Sequence, residues 1–187
     1  VKSVSKQLRV GGPATSKCAW IDEFIGHICQ KDNPCDYCDF ISTHAYPSDL
    51  PFLNAAEGSV KLQESKIMKE LFTAVRKKMD NAGLCKIPLF MGEWNSSAGP
   101  YAFNHDEMNN GAFIIKTLAE LEPIIDGMLY WNLTDIYEEG GFHYTPFHGG
   151  YGMINVNSVP KSSYNAFVLL NRLSGRKLSC DTRSVPE

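Results

Sequence analysis

The chain's 187 residues, 43% apolar and 21% charged, are the length and composition of one folded globular domain with its own core. A formal charge of -3 with no basic block argues against a nucleic-acid or anionic-membrane partner, since both demand clustered Lys and Arg. The longest apolar runs are too short to cross a bilayer and the first residues lack the apolar stretch of a signal peptide, which points to a cytoplasmic chain.

Short β-rich runs alternate with longer helix-period segments, the rhythm of βα units around a parallel sheet. The first unit pairs a strand in "QLRVGG" with a helix over "CAWIDEFIGHICQK". In that helix Trp20, Phe24, Ile25 and Ile28 share a face, and Thr15 or Ser16 supplies the N-cap. The second pairs "CDFISTHAY" with a helix over "QESKIMKELFTAVRKKMDNAG", whose apolar stripe is Ile67, Leu71, Ala74 and Val75 and whose left-handed stop is Gly83. The third is "IPLFMGEW" followed by "DEMNNGAFIIKTLAEL", ended by Glu122-Pro123. The fourth is "GMLYWNLTD", a long loop from Ile136 to about Pro160, and a last helix in "SYNAFVLLNRLSG" closed by Gly175. Residues 1–175 thus form the βα domain, and 176–187 a polar tail.

Six cysteines are too sparse at this length for a disulfide scaffold and read mostly as reduced thiols. Cys35 and Cys38 form a C-x-x-C, but no second pair or histidine pair stands at metal-binding spacing, so no metal or cofactor is expected.

In every unit the chemically unusual residues fall where the strand ends: Gly11-Gly12, His44 and Tyr46, Glu93 to Asn95, and Trp131 to Asp135. Parallel α/β folds bind ligands outside the carboxyl ends of their strands. Glu93 raises the sharpest question, because an unpaired carboxylate lifted out of the apolar run "IPLFM" is costly unless it has a partner or a task. Glycoside cleavage uses such a carboxylate, with polar groups for sugar hydroxyls and an aromatic wall for the sugar face. His44, Tyr46 and Asn95 could meet hydroxyls, Trp131 could stack on the ring, and Glu138 or Glu139 could accept from two neighbouring hydroxyls. Plainer readings stand beside these: His44 and Tyr46 as strand caps, Trp131 as core, Glu138 and Glu139 as solvated charges, Glu93 in a salt bridge.

The motifs "RVGGPATS", "DFISTHAYP", "GEWNSS", "YWNLTDIYEE" and "PFHGGYGMINVNSVPKSSYNAFVLLNRL", in this order from about Leu8 to Leu173, resemble the second half of glycoside hydrolase family 39, the β-xylosidases. The resemblance implies a (β/α)8 TIM-barrel enzyme that removes terminal xylosyl units with retention and without a cofactor. It implies Glu93 as nucleophile, His44 and Tyr46 at the sugar, Trp131 at the end of the eighth strand, and Glu138 on xylose hydroxyls. It leaves the exact sugar open between xylosides and α-L-arabinofuranosides.

One motif of the family is missing. Its acid–base glutamate lies in an N-E-P sequence, and no N-E-P occurs in this chain. The four units correspond to strands five to eight, a half-barrel whose edge strands and inward apolar side chains lack an opposing half. The expected remedy is a homodimer that closes eight strands, with a carboxylate of the partner subunit, Asp135 or Glu138, brought toward Glu93. The alternative is an inactive half-barrel that keeps part of a sugar-binding rim.

Overall fold

The computed structural model describes residues 1–30, 36–49, 64–136, 141, 143–175 and 178. Four parallel strands, β1 (Gly11–Thr15), β2 (Phe40–His44), β3 (Leu89–Trp94) and β4 (Gly127–Tyr130), lie side by side in sequence order. Helices α1 (Ile21–Ile28), α2 (Glu64–Asn81), α3 (Met108–Leu121) and α4 (Ser162–Asn171) follow them one by one. The chain is therefore four consecutive βα units, the half-barrel expected from the motif order. The tail from 176 onward lies outside the described residues apart from Leu178.

The core fills the space between the sheet and the helices. Ile41, Leu89, Met91 and Trp94 point from the strands onto Ile25, Phe72, Met79, Phe113 and Leu121 of the helices, all of them buried. In α2 the buried stripe is Met68, Phe72, Val75 and Met79, at 0 to 3% exposure. It is rotated from the expected one: Ile67 and Leu71 flank it half-buried and Ala74 faces solvent. The larger side chains won because they fill the gap against the sheet, and Ala74 has little area to bury. Gly83 has φ +77 and closes α2 as expected.

Three expectations for the first unit are corrected. Trp20 does not share the apolar face of α1; it precedes the helix with a left-handed backbone, φ 59, which turns its indole outward at 69% exposure. Its place on the face is taken by Ile21, beside Ile25 and Ile28. No side chain caps α1, since the Thr15 hydroxyl donates instead to the Ala19 carbonyl. The first strand starts at Gly11, where "QLRVGG" should have been ending. The Val10 amide donates to Asp39 Oδ2 at 2.6 Å, and from Gly11 the chain runs so close to Phe40 that any Cβ would collide with it.

Candidate active site

The rim at the carboxyl ends of the strands is organised around a bulge in β3. Thr43 pairs with Met91, but the next residue of β2, His44, pairs with Glu93, so β3 holds one extra residue, Gly92. A bulge re-aims the side chain that follows it. Here it sets Glu93 directly across from His44, whereas regular alternation would have turned it toward the helices. Gly92 meets the tight approach this creates, because a Cβ there would lie 3.3 Å from His44 Nε2.

Glu93 then receives two neighbours. Tyr46 Oη donates to Glu93 Oε1 at 2.6 Å, a short charge-assisted bond that fixes the plane of the carboxylate. His44 Nδ1 stands 3.6 Å from Oε2, too long for a hydrogen bond and close enough for attraction once the imidazole is protonated. Both side chains keep 26% of their surface exposed, so the carboxylate is held in place and still reachable from the rim. Trp94, next in sequence, belongs to the core, where it packs edge-on against Tyr130 at 5.4 Å.

Trp131 stands on the adjacent strand end, half-buried, with its amide donating to the Trp94 carbonyl at 2.9 Å. The peptide that follows it, Trp131–Asn132, is cis. Asn95 was expected at a sugar hydroxyl and is instead fully buried. Its amide donates to the carbonyls of Trp131 at 2.6 Å and Tyr151 at 3.1 Å, and its oxygen accepts from the Ser96 amide at 2.7 Å and Tyr130 Oη at 2.8 Å. All four of its hydrogen-bonding positions are used inside the protein, so it holds Trp131 from behind and presents nothing to a ligand. Burial pushes the Tyr130 phenol well above its ordinary pKa, which keeps it a donor to Asn95.

Asp135, expected to reach a partner's Glu93, is enclosed. Its side chain is 0% exposed, with Oδ2 2.6 Å from the Lys161 ammonium and Oδ1 accepting from the Gly152 amide at 2.6 Å. A carboxylate consumed by a buried cation cannot act across a subunit boundary, and that expectation is corrected. Glu138, like Glu139, lies outside the described residues. So does Cys35 of the C-x-x-C; its mate Cys38 is buried and donates its thiol to the Phe40 carbonyl at 3.1 Å. Among the described residues no three His, Cys, Asp or Glu side chains converge as a metal site would require.

Compared with known protein families, the sequence matches the model for glycosyl hydrolases family 39 over residues 1–186. The chain belongs to that family. It is 38% identical over 182 residues to a β-xylosidase of Caldicellulosiruptor saccharolyticus and 33% identical over 186 residues to one of Geobacillus stearothermophilus. Each alignment takes in 97% of this chain and 36% of the relative, so the chain spans about a third of the length of the curated relatives it matches. Among solved structures, a monomeric β-xylosidase from Caulobacter crescentus CB15 superposes with a TM-score of 0.83 at 31% identity, over 96% of this chain and 36% of that one. A family 39 enzyme from Xanthomonas axonopodis pv. citri gives 0.80 at 33% identity, over 94% and 34%.

Within this family 39 chain, sequence reasoning missed the buried groups behind the rim. His105 is 0% exposed, its Nδ1 2.8 Å from the Gly149 carbonyl and its Nε2 3.1 Å from that of Ser97, so it joins the loops that follow β3 and β4. Burial holds its imidazole below the ordinary histidine value, against the pull of the two carbonyls. Lys161, also buried, joins Asp106 to Asp135. The one local signal for this layer was "HGGYG", three glycines within four residues.

Proposed function

We propose that the rim carries the nucleophilic half of a retaining β-xylosidase site, with Glu93 as the attacking carboxylate. The observation that carries this reading is the Tyr46–Glu93 bond at 2.6 Å on a carboxylate still open to solvent. A carboxylate set aside for structure is enclosed and ion-paired, as Asp135 is; Glu93 keeps an oxygen edge open to solvent. Its family membership and its β-xylosidase relatives support xylosides as the substrate class.

In the proposed step a Glu93 oxygen attacks C1 of a β-xyloside, the C1–O bond breaks, and the leaving oxygen departs with the bonding pair. Water then cleaves the resulting α-xylosyl ester, releasing xylose and regenerating the carboxylate. His44 and Tyr46 border the reacting carboxylate, Trp131 supplies the face on which the ring stacks, and Glu138 accepts from sugar hydroxyls. Aryl xylosides need no protonation to depart, so Glu93 suffices for the first step. Xylo-oligosaccharides need, in addition, an acid to protonate the leaving oxygen.

For the 187-residue chain alone, the covering partner is a second copy. Strands β1 and β4 are each paired on one side only within the described sheet, and Leu129, Leu133 and Ile136 beside β4 are 59 to 68% exposed. A twofold that joins β4 of one copy to β1 of the other closes eight strands and covers those side chains. Light scattering at several concentrations, with aryl-xyloside turnover on the same fractions, tests both proposals. The expected result is a dimer that releases a burst of aryl product, abolished in Glu93→Gln. A monomer contradicts the closed dimer, and a dimer without a burst contradicts the nucleophile.

A further inference from the structure

Behind the rim, the segment Gly149–Gly152 runs as a strap clamped between two carboxylates. The Gly149 amide donates to Asp106 Oδ2 and the Gly152 amide to Asp135 Oδ1, each at 2.6 Å. Between them the Lys161 ammonium, 0% exposed, is ion-paired with Asp106 Oδ1 and Asp135 Oδ2 at 2.6 Å each and donates to the Gly150 carbonyl at 3.0 Å. The glycines of the clamp leave no room for a side chain; a Cβ on Gly150 would lie 2.5 Å from Asp135 Oδ1, and one on Gly149 2.7 Å from the Tyr101 backbone.

The strap is in turn bonded to the residues at the end of β4. The Tyr151 carbonyl accepts from the Asn132 amide at 3.3 Å, and the Met153 amide donates to the Asn132 carbonyl at 3.1 Å. Asn95 bridges the Tyr151 carbonyl to that of Trp131. A run of hydrogen bonds therefore leads from the Lys161 ammonium through the strap to the Trp131 backbone.

We propose that Lys161 is a positioning residue for Trp131, acting through the Gly149–Gly152 strap and so fixing where a sugar ring can stack; this rests on the reading of the rim as a xyloside site. Two carboxylates around one buried ammonium are a poor way to gain stability, since uncharged side chains of similar volume often serve as well. They are a good way to fix a backbone, because each carboxylate accepts from one strap amide with one oxygen and is held to the buried ammonium by the other.

The test compares the protein carrying Trp20→Phe, whose remaining indoles are Trp131 and the buried Trp94, with the same protein carrying Lys161→Met, Asp106→Asn and Asp135→Asn together. The triple change removes the charges at similar volume, and the thermal midpoint is expected to stay within about 5 °C. Hydrogen exchange at the amides of Trp131, Asn132 and Gly152 should quicken by at least about tenfold while β2 and β3 amides hold. Acrylamide quenching of Trp131 should rise. With p-nitrophenyl β-xyloside the half-saturating concentration of the burst should increase about tenfold and its limiting rate stay within about threefold, the signature of lost ring placement. Unchanged exchange and quenching would overturn the proposal. So would loosened exchange with an unchanged half-saturation, or a uniform rise across β2 and β3 with a lower midpoint, which assigns the charges to stability alone. If the parent protein shows no burst, it is the xyloside reading that fails, and exchange and quenching still decide the role of Lys161.

Discussion

Glu93 lies near the end of β3 and Asp135 in the loop beyond β4, and the protein treats the two in opposite ways. Glu93 keeps 26% of its side chain exposed and has one short bond, from a phenol. Asp135 is 0% exposed, with one oxygen ion-paired to an ammonium and the other accepting from a backbone amide. Being a carboxylate toward the carboxyl end of a strand does not distinguish them. The difference lies in what faces them: a bulge turns Glu93 toward open rim, while the chain after β4 folds back over Asp135 and brings Lys161 under it. A strand-end carboxylate is a candidate for chemistry only when its charge is oriented without being neutralised.

The largest effect should come from removing the open carboxylate. Glu93→Gln is expected to lower the aryl-xyloside burst about 10⁴-fold or more, as loss of a nucleophile does, and to change stability by less than about 1 kcal/mol. If the variant unfolds readily, Glu93 is structural and the contrast with Asp135 disappears. The converse substitution sharpens it: Asp135→Ala leaves the Gly152 amide unbonded and removes one of the two anions around Lys161. Urea denaturation should show a loss of about 2–4 kcal/mol. A loss under 1 kcal/mol would mean that the enclosed carboxylate is dispensable.

Tyr46→Phe removes the bond that orients Glu93 and leaves the ring. A hydrogen bond to a charged group is worth about 1.5–3 kcal/mol, so the burst rate should fall about 10- to 100-fold. The global midpoint should hardly move. The smallest effect concerns His105. Its pKa is lowered in the fold, so on acidification the unfolded chain takes up a proton before the folded one does. The folded state keeps its full advantage above the ordinary histidine value and loses it as the pH falls below. His105→Gln should flatten that acid-side decline in thermal midpoint; an equally steep decline in the variant would place its cause elsewhere.

The four βα units could be read from the sequence because each is a local pattern: a short β-rich run, a 3.6-residue periodicity, a stop such as Gly83 or Glu122-Pro123. Glu93 could be read for the same reason, as a carboxylate breaking an apolar run. What could not be read depends on partners distant along the chain. Asp135 looks the same in sequence whether or not Lys161 and Gly152 close on it, and Asn95 looks free until Trp131, Tyr151 and Tyr130 surround it. Trp20 was misplaced on a smaller scale, because periodicity counts a residue just before a helix as though its backbone were helical, and here it is left-handed.

The most direct test of the account is covalent trapping with an aryl 2-deoxy-2-fluoro-β-xyloside, whose fluorine slows breakdown of the glycosyl-enzyme, followed by mass spectrometry of the intact chain and its peptides. The account predicts one fluoroxylosyl adduct, on the peptide that contains Glu93, and none in Glu93→Gln. An adduct mapped to any other carboxylate, or none on a folded protein, would contradict it.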